Sequence, residues 1–148
     1  MKKNTSTLDN THSNQFSFIW MNRLALFIVF FWFGFLKIIG LSPAKDIVTH
    51  LHHQTIEPYI SASFFIPFLG LTECLIGLLW LFPKLTKIAF VLFCLQMFTT
   101  FLPLILLPSE TWQSNFALTL AGQYIIKNIV LIASAYTVYQ QNSNNNEK

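Results

Sequence analysis

Long runs of apolar side chains constrain this chain more than any other feature. A bilayer core about 30 Å thick is crossed by roughly 20 mostly apolar residues in helical form. The sequence offers such a run near residues 18–40, 63–82, 85–107 and 116–138. With 53% hydrophobic and only 10% charged residues, the chain is too apolar for a soluble domain of 148 residues. Five glycines and no alternating apolar and polar pattern argue against a membrane β-barrel. The expected fold is all-α: a four-transmembrane-helix bundle over residues 16–140, with a short interfacial helix between the first and second spans. Residues 1–15 and 141–148 are polar and read as disordered tails. No small-residue cleavage site follows the first apolar run, so it reads as an uncleaved anchor.

Basic residues set the expected orientation. Lys2, Lys3, Arg23, Lys84, Lys87 and Lys148 fall on one side of the predicted spans, and Lys45 falls on the other. Both termini are therefore expected in the cytoplasm of a bacterial cell, with the protein in the cytoplasmic (inner) membrane. The net charge of +3 follows from this asymmetry and gives no reason to expect a nucleic-acid partner.

Polar residues inside the spans carry the functional question. Glu73, Gln96 and Lys127 lie near the centres of the second, third and fourth spans, so they share one depth. A charge at that depth costs about 3 kcal/mol or more unless it faces the bundle interior and meets a partner. Glu73 and Lys127 are the expected pair. Helical spacing adds Gly70, Gly77 and Trp80 to the stripe of Glu73, places Thr99, Thr100 and Pro103 with Gln96, and places Gln123 and Ser134 with Lys127. Lys37, with Gly34 and Gly40, stands about 10 Å from the midplane at 1.5 Å per residue, where it either reaches the outer surface or caps the cluster. The candidate ligand-binding residues are Glu73, Lys127, Gln96, Lys37, Gln123 and Asn128; no catalytic residue is assigned. One reading makes the ion pair a structural device that fixes helix register. The other makes it a polar pocket for the head group of a lipid-soluble molecule such as a quinone, whose carbonyls accept hydrogen bonds and whose reduction consumes protons that a carboxylate can relay.

Other chemistries find less support. His12, His50, His52 and His53 all lie outside the spans, so no pair of axial haem ligands falls within the bilayer. There is no Cys-x-x-Cys, and Cys74 and Cys94, at similar depth on neighbouring spans, read as small apolar side chains. The first loop, "LSPAKDIVTHLHHQTIEPY", opens with Ser42-Pro43 in the manner of a capped helix start. Ile47, Val48 and Leu51 form its apolar face, opposite Asp46, His50, His53 and Glu57. His50 and His53 with a carboxylate lack an obvious fourth ligand, so no metal site is expected. Glu110, in the loop before the fourth span, reads as a solvated acid.

The segments "RLALFIVFFWFGFLKIIGLSPAKD", "GLTECLIGLLWLF", "LQMFTTFLPLILLPSETW" and "LAGQYIIKNIVLIASA" together resemble the DoxX-like family of small four-helix membrane proteins. The resemblance covers roughly residues 20–138 and rests on Gly34-x-x-Lys37, Glu73 and Lys127-Asn128 in that order. The reactive-chlorine-resistance branch of inner-membrane proteins is similar, with a longer first outer loop. The resemblance implies a role in redox metabolism or oxidative stress, since the family takes its name from a subunit of a thiosulfate:quinone oxidoreductase. Several relatives carry an acidic residue where this chain has Ala121. The expected protein is a quinone-interacting subunit with no intrinsic cofactor, in contact with membrane lipid and working with a redox partner protein or as a homo-oligomer. Any enzymatic activity belongs to the assembled system. The alternative is a non-catalytic membrane scaffold that recruits a partner protein.

Overall fold

The computed structural model describes the backbone of residues 5–114 and 116–146, with side chains from residue 17 to residue 144 apart from residue 115. Among the described residues eight helices follow in order: α1 (Thr5–Ile38), α2 (Lys45–Thr55), α3 (Ala62–Trp80), α4 (Thr86–Phe101), α5 (Pro103–Leu106), α6 (Pro108–Thr111), α7 (Leu120–Ile126) and α8 (Asn128–Asn146). A 3-10 turn at Pro83–Leu85 joins α3 to α4, and a two-stranded hairpin, β1 (Trp112–Ser114) and β2 (Ala117–Leu118), precedes α7. Helical backbone extends into both polar ends, which the composition alone left without structure; residues 1–4 and 147–148 lie outside the described residues.

Three helical segments are long and apolar enough to cross a membrane among the described residues: Ser17–Ile38, Ala62–Trp80 and Pro83–Leu106. The fourth apolar run is divided. Phe116 takes a positive φ of 65° in the hairpin, α7 stops at Ile126, and α8 restarts at Asn128 and runs on into polar residues. Lys127 keeps right-handed helical dihedrals at the joint, and its N–H still bonds the Gln123 carbonyl at 3.0 Å. The two helices therefore meet at a single residue that stays in helical conformation.

The long helices pack as a ring in the order α1, α3, α4, α8, with α8 returning to α1. Where α1 crosses α3, glycine permits the approach. A Cβ on Gly34 would come within 2.5 Å of the Gly70 carbonyl, and one on Gly70 within 2.6 Å of the Gly34 carbonyl. Small residues facing each other in this way let two helix backbones meet in an apolar medium. Below that crossing, towards the end of the ring that holds the α3–α4 turn, lies the apolar core. Phe93 sits at its centre, with ring centroids 5.4 Å from Phe30 and 5.9 Å from Trp80, and Leu26, Ile76, Ala89, Met97, Ala135 and Val138 close around it.

Arg23 ties the α3–α4 end together. It is 2% exposed, donates to the Trp80 carbonyl at 2.9 Å and the Thr86 hydroxyl at 2.8 Å, and reaches Asn142 of α8 at 3.2 Å. A cation at the last carbonyls of α3 also meets the negative end of that helix dipole. At the opposite end, α1 closes in a Schellman turn: Gly40 has φ 75°, its N–H bonds the Lys37 carbonyl, and the Leu41 N–H bonds the Leu36 carbonyl. Helix α2 starts three residues after Ser42, whose hydroxyl accepts only the Ala44 N–H at 3.3 Å. It docks on α3 through His52, which is buried against Phe65 and bonds the Ile60 carbonyl through Nε2.

Candidate functional site

Glu73 lies on the buried stripe of α3 with Gly70, Gly77 and Trp80. Its partner is Lys37. The Lys37 Nζ donates to Glu73 Oε2 at 2.5 Å, and Gln96 Nε2 donates to Glu73 Oε1 at 2.9 Å. All three residues are less than one-tenth exposed. Both carboxylate oxygens are thus engaged inside the chain, which meets the condition under which a buried ion pair is tolerable.

Helix direction explains the pairing. Side chains lean towards the N-terminus of their own helix. Helices α1 and α3 run antiparallel, so Lys37, near the C-terminal end of α1, leans into the ring while Glu73 leans towards the α2 end, and the two converge. Contact between Gly34 and Gly70 brings their backbones close enough for the carboxylate and ammonium to meet.

The expected pairing of Glu73 with Lys127 is corrected accordingly. Lys127 is exposed, and its ammonium lies 4.7 Å from the centroid of the Tyr124 ring, one turn towards the N-terminus of α7. It leans in the same direction as Glu73, because α7 runs parallel to α3, and it leaves the interior. Gln123 is exposed and donates to the Leu118 carbonyl at 3.4 Å, while Asn128 is half-buried at the start of α8. Of the six candidate residues, the structure brings Lys37, Glu73 and Gln96 together and sets Gln123, Lys127 and Asn128 on a different part of the ring.

Neighbouring groups complete the picture. The Thr99 and Thr100 hydroxyls both donate to the Gln96 carbonyl at 2.8 Å, fixing α4 around the glutamine. Ser134 donates instead to Asn22 of α1 at 2.8 Å. Cys74 is buried with its Sγ towards the Phe31 carbonyl, Cys94 is exposed, and both are free thiols. His50 Nδ1 meets Glu110 at 2.7 Å, so the loop acid is engaged by α2, and His53 meets Glu57 at 2.5 Å. Among the described residues no three His, Cys, Asp or Glu side chains are grouped to hold a metal ion.

An open hollow of about 360 Å³ lies at the α2 end of the ring; Lys37, Lys45, Ser42 and Thr49 border it, but with Ile38, Ile66 and Pro67 in the lining its surface is mostly apolar. Lys37 therefore belongs both to the buried cluster and to a cavity wall. An ammonium has three N–H bonds. Glu73 takes one of them inside the ring.

No family model, curated protein or solved structure matches the chain.

Proposed function

We propose that the chain is an integral protein of the bacterial cytoplasmic membrane, with α7 and α8 completing a fourth crossing and both termini in the cytoplasm. In this reading α2 lies at the outer interface. The protein serves as a quinone-interacting subunit of a membrane oxidoreductase system, in keeping with its resemblance to the DoxX-like family. The observation that carries the reading is the double position of Lys37, ion-paired to a buried carboxylate and bordering a pocket at the low end of the usual ligand-site range. Lys37 holds a quinone carbonyl as hydrogen-bond donor; Glu73 orients the Lys37 side chain; Gln96 fixes the carboxylate. A bound quinone supplies two-electron redox chemistry, and a partner protein supplies the electrons.

The test is mass spectrometry of lipids retained by the protein in nanodiscs, wild type against Lys37→Met, with helicity by circular dichroism as the folding control. Quinone enriched in the wild type and lost in a folded Lys37→Met variant supports the reading. Equal quinone content in both removes it and favours the second reading, a non-catalytic scaffold. One observation already favours that alternative: both Glu73 oxygens are satisfied within the chain, so the cluster is complete as a structural lock.

A further inference from the structure

The hairpin between α6 and α7 carries a strained aromatic side chain in its turn. Ser114 pairs with Ala117, and Phe116, in the turn between the two strands, has φ 65°. Glycine is the usual residue where a tight hairpin turn needs a left-handed backbone, and a bulky side chain there is costly. Packing inside the protein does not offset that cost, because Phe116 is 95% exposed. Strain of this kind persists only where the surroundings impose it, and such positions cluster at functional sites. Here the surroundings do impose it. Trp112 Nε1 ties β1 back by donating to the Leu104 carbonyl at 3.1 Å. After β2, the Thr119 N–H bonds the Thr111 carbonyl at 3.0 Å and its hydroxyl donates to the Glu110 carbonyl at 2.6 Å.

Height on the ring and composition together point to what Phe116 meets. Gly122 of α7 lies directly against the Thr111 carbonyl, with no room for a Cβ, so the base of the hairpin stands level with the start of α7. From Gly122 down to Asn142, which Arg23 holds at the other end of the ring, the chain spans about 30 Å at 1.5 Å per residue, the thickness of a bilayer core. Residues 111–126 contain no charged side chain. Trp112, Leu120 and Tyr124 among them are exposed, and so is Ile105 of α5 just before them. This surface has no charge with which to complement a charged partner, whereas uncharged aromatic and aliphatic side chains at this level suit the boundary between lipid headgroups and acyl chains.

We infer that the β1–β2 hairpin is a lipid-binding anchor, which seats Phe116 in the outer boundary of the bilayer and fixes the outer end of α7 there. This rests on the membrane reading above and not on the quinone. Helix α7 has only seven residues, and the hairpin supplies the hold at its outer end. The anchor meets the lipid interface through apolar contact alone, so its depth does not depend on anionic lipid.

The experiment measures depth by electron paramagnetic resonance on the full chain in nanodiscs, from collisions of a nitroxide with oxygen, which enters lipid, and with a water-soluble nickel chelate. The nitroxide is placed through Gln113→Cys on the exposed β1 strand or, as a reference, through Val91→Cys on the exposed flank of α4, each in a Cys74→Ala, Cys94→Ala background. The hairpin label is read with Phe116 present, with Phe116→Gly, which suits the turn and removes the ring, and with Phe116→Trp, which keeps an aromatic ring; circular dichroism checks that each protein is folded. The expected result is a Val91 label shielded from nickel and a Gln113 label partly shielded, with nickel access at residue 113 rising at least about threefold in Phe116→Gly and staying at its original value in Phe116→Trp. The same values are expected in zwitterionic nanodiscs and in nanodiscs containing anionic lipid. A Gln113 label as open to nickel as a free nitroxide in water, or one that Phe116→Gly leaves unchanged, overturns the anchor while the shielded Val91 label keeps the membrane reading. Shielding at residue 113 that requires anionic lipid overturns the apolar contact. A Val91 label open to nickel overturns both the anchor and the membrane reading.

Discussion

At the scale of single residues, Glu73 and Arg23 inside the apolar ring are each met by specific partners, and the partners differ in kind. Glu73 has a full ionic and hydrogen-bonded complement, whereas Arg23 is held by two carbonyl or amide oxygens and a hydroxyl, with no carboxylate among its hydrogen-bond partners in the described residues. Hydrogen bonds to a charged group contribute roughly 1.5–3 kcal/mol each, and their loss leaves buried acceptors behind. Arg23→Met is therefore expected to destabilise the protein by about 3 kcal/mol, measured by reversible unfolding in mixed micelles. A change below about 1 kcal/mol removes Arg23 as the clasp of the α3–α4 end. Sequence alone placed Arg23 only as a basic residue near the end of a span, because the positive-charge bias counts residues by side and says nothing of what they touch. Glu73 and Gln96 were legible for the opposite reason: a polar side chain deep in an apolar run must have an internal explanation, whereas Lys37, near the end of its span, could equally have reached the surface.

Among the elements, the decisive contact is the crossing of α1 and α3. Gly34, Gly70 and Gly77 remove the Cβ atoms that would hold these helices apart; at Gly77 an added Cβ would stand 2.9 Å from the Phe31 nitrogen. Gly70→Leu puts a side chain where the Gly34 carbonyl and the Lys37 Cβ already lie, the latter 2.8 Å from where a Cβ at residue 70 would stand. Overpacking of this kind costs about 1–3 kcal/mol, and here it also separates Lys37 from Glu73. The expected outcome is a fall in stability of about 2 kcal/mol or more together with loss of any ligand held through Lys37; a stable Gly70→Leu protein that keeps its ligand contradicts this role for the crossing. The glycine stripe itself was visible from spacing. The break at Lys127, the hairpin before α7 and the late start of α2 were not, since each depends on local backbone bonds, such as the Thr119 hydroxyl accepting the Gly122 N–H at the start of α7, that apolar periodicity does not encode.

For the molecule as a whole, depth and direction are separate quantities, and only depth can be counted along a sequence. Glu73, Gln96 and Lys127 do fall near the middle of their apolar runs, yet the ring turns Lys127 outward and draws Lys37 inward from near the end of α1. The flexible four-carbon stem of lysine makes both outcomes possible, and helix polarity chooses between them. The interior carboxylate thus belongs to Lys37, and on that pairing the rest of the site depends. Two double-mutant cycles in mixed-micelle unfolding test it, one pairing Glu73→Gln with Lys37→Met and one pairing Glu73→Gln with Lys127→Met. Contacting charges couple by roughly 0.5–3 kcal/mol, and distant ones add to within about 0.5 kcal/mol. The expected result is a coupling of at least about 1 kcal/mol between residues 37 and 73 and additivity between residues 127 and 73; coupling found at Lys127 and absent at Lys37 would contradict the pairing.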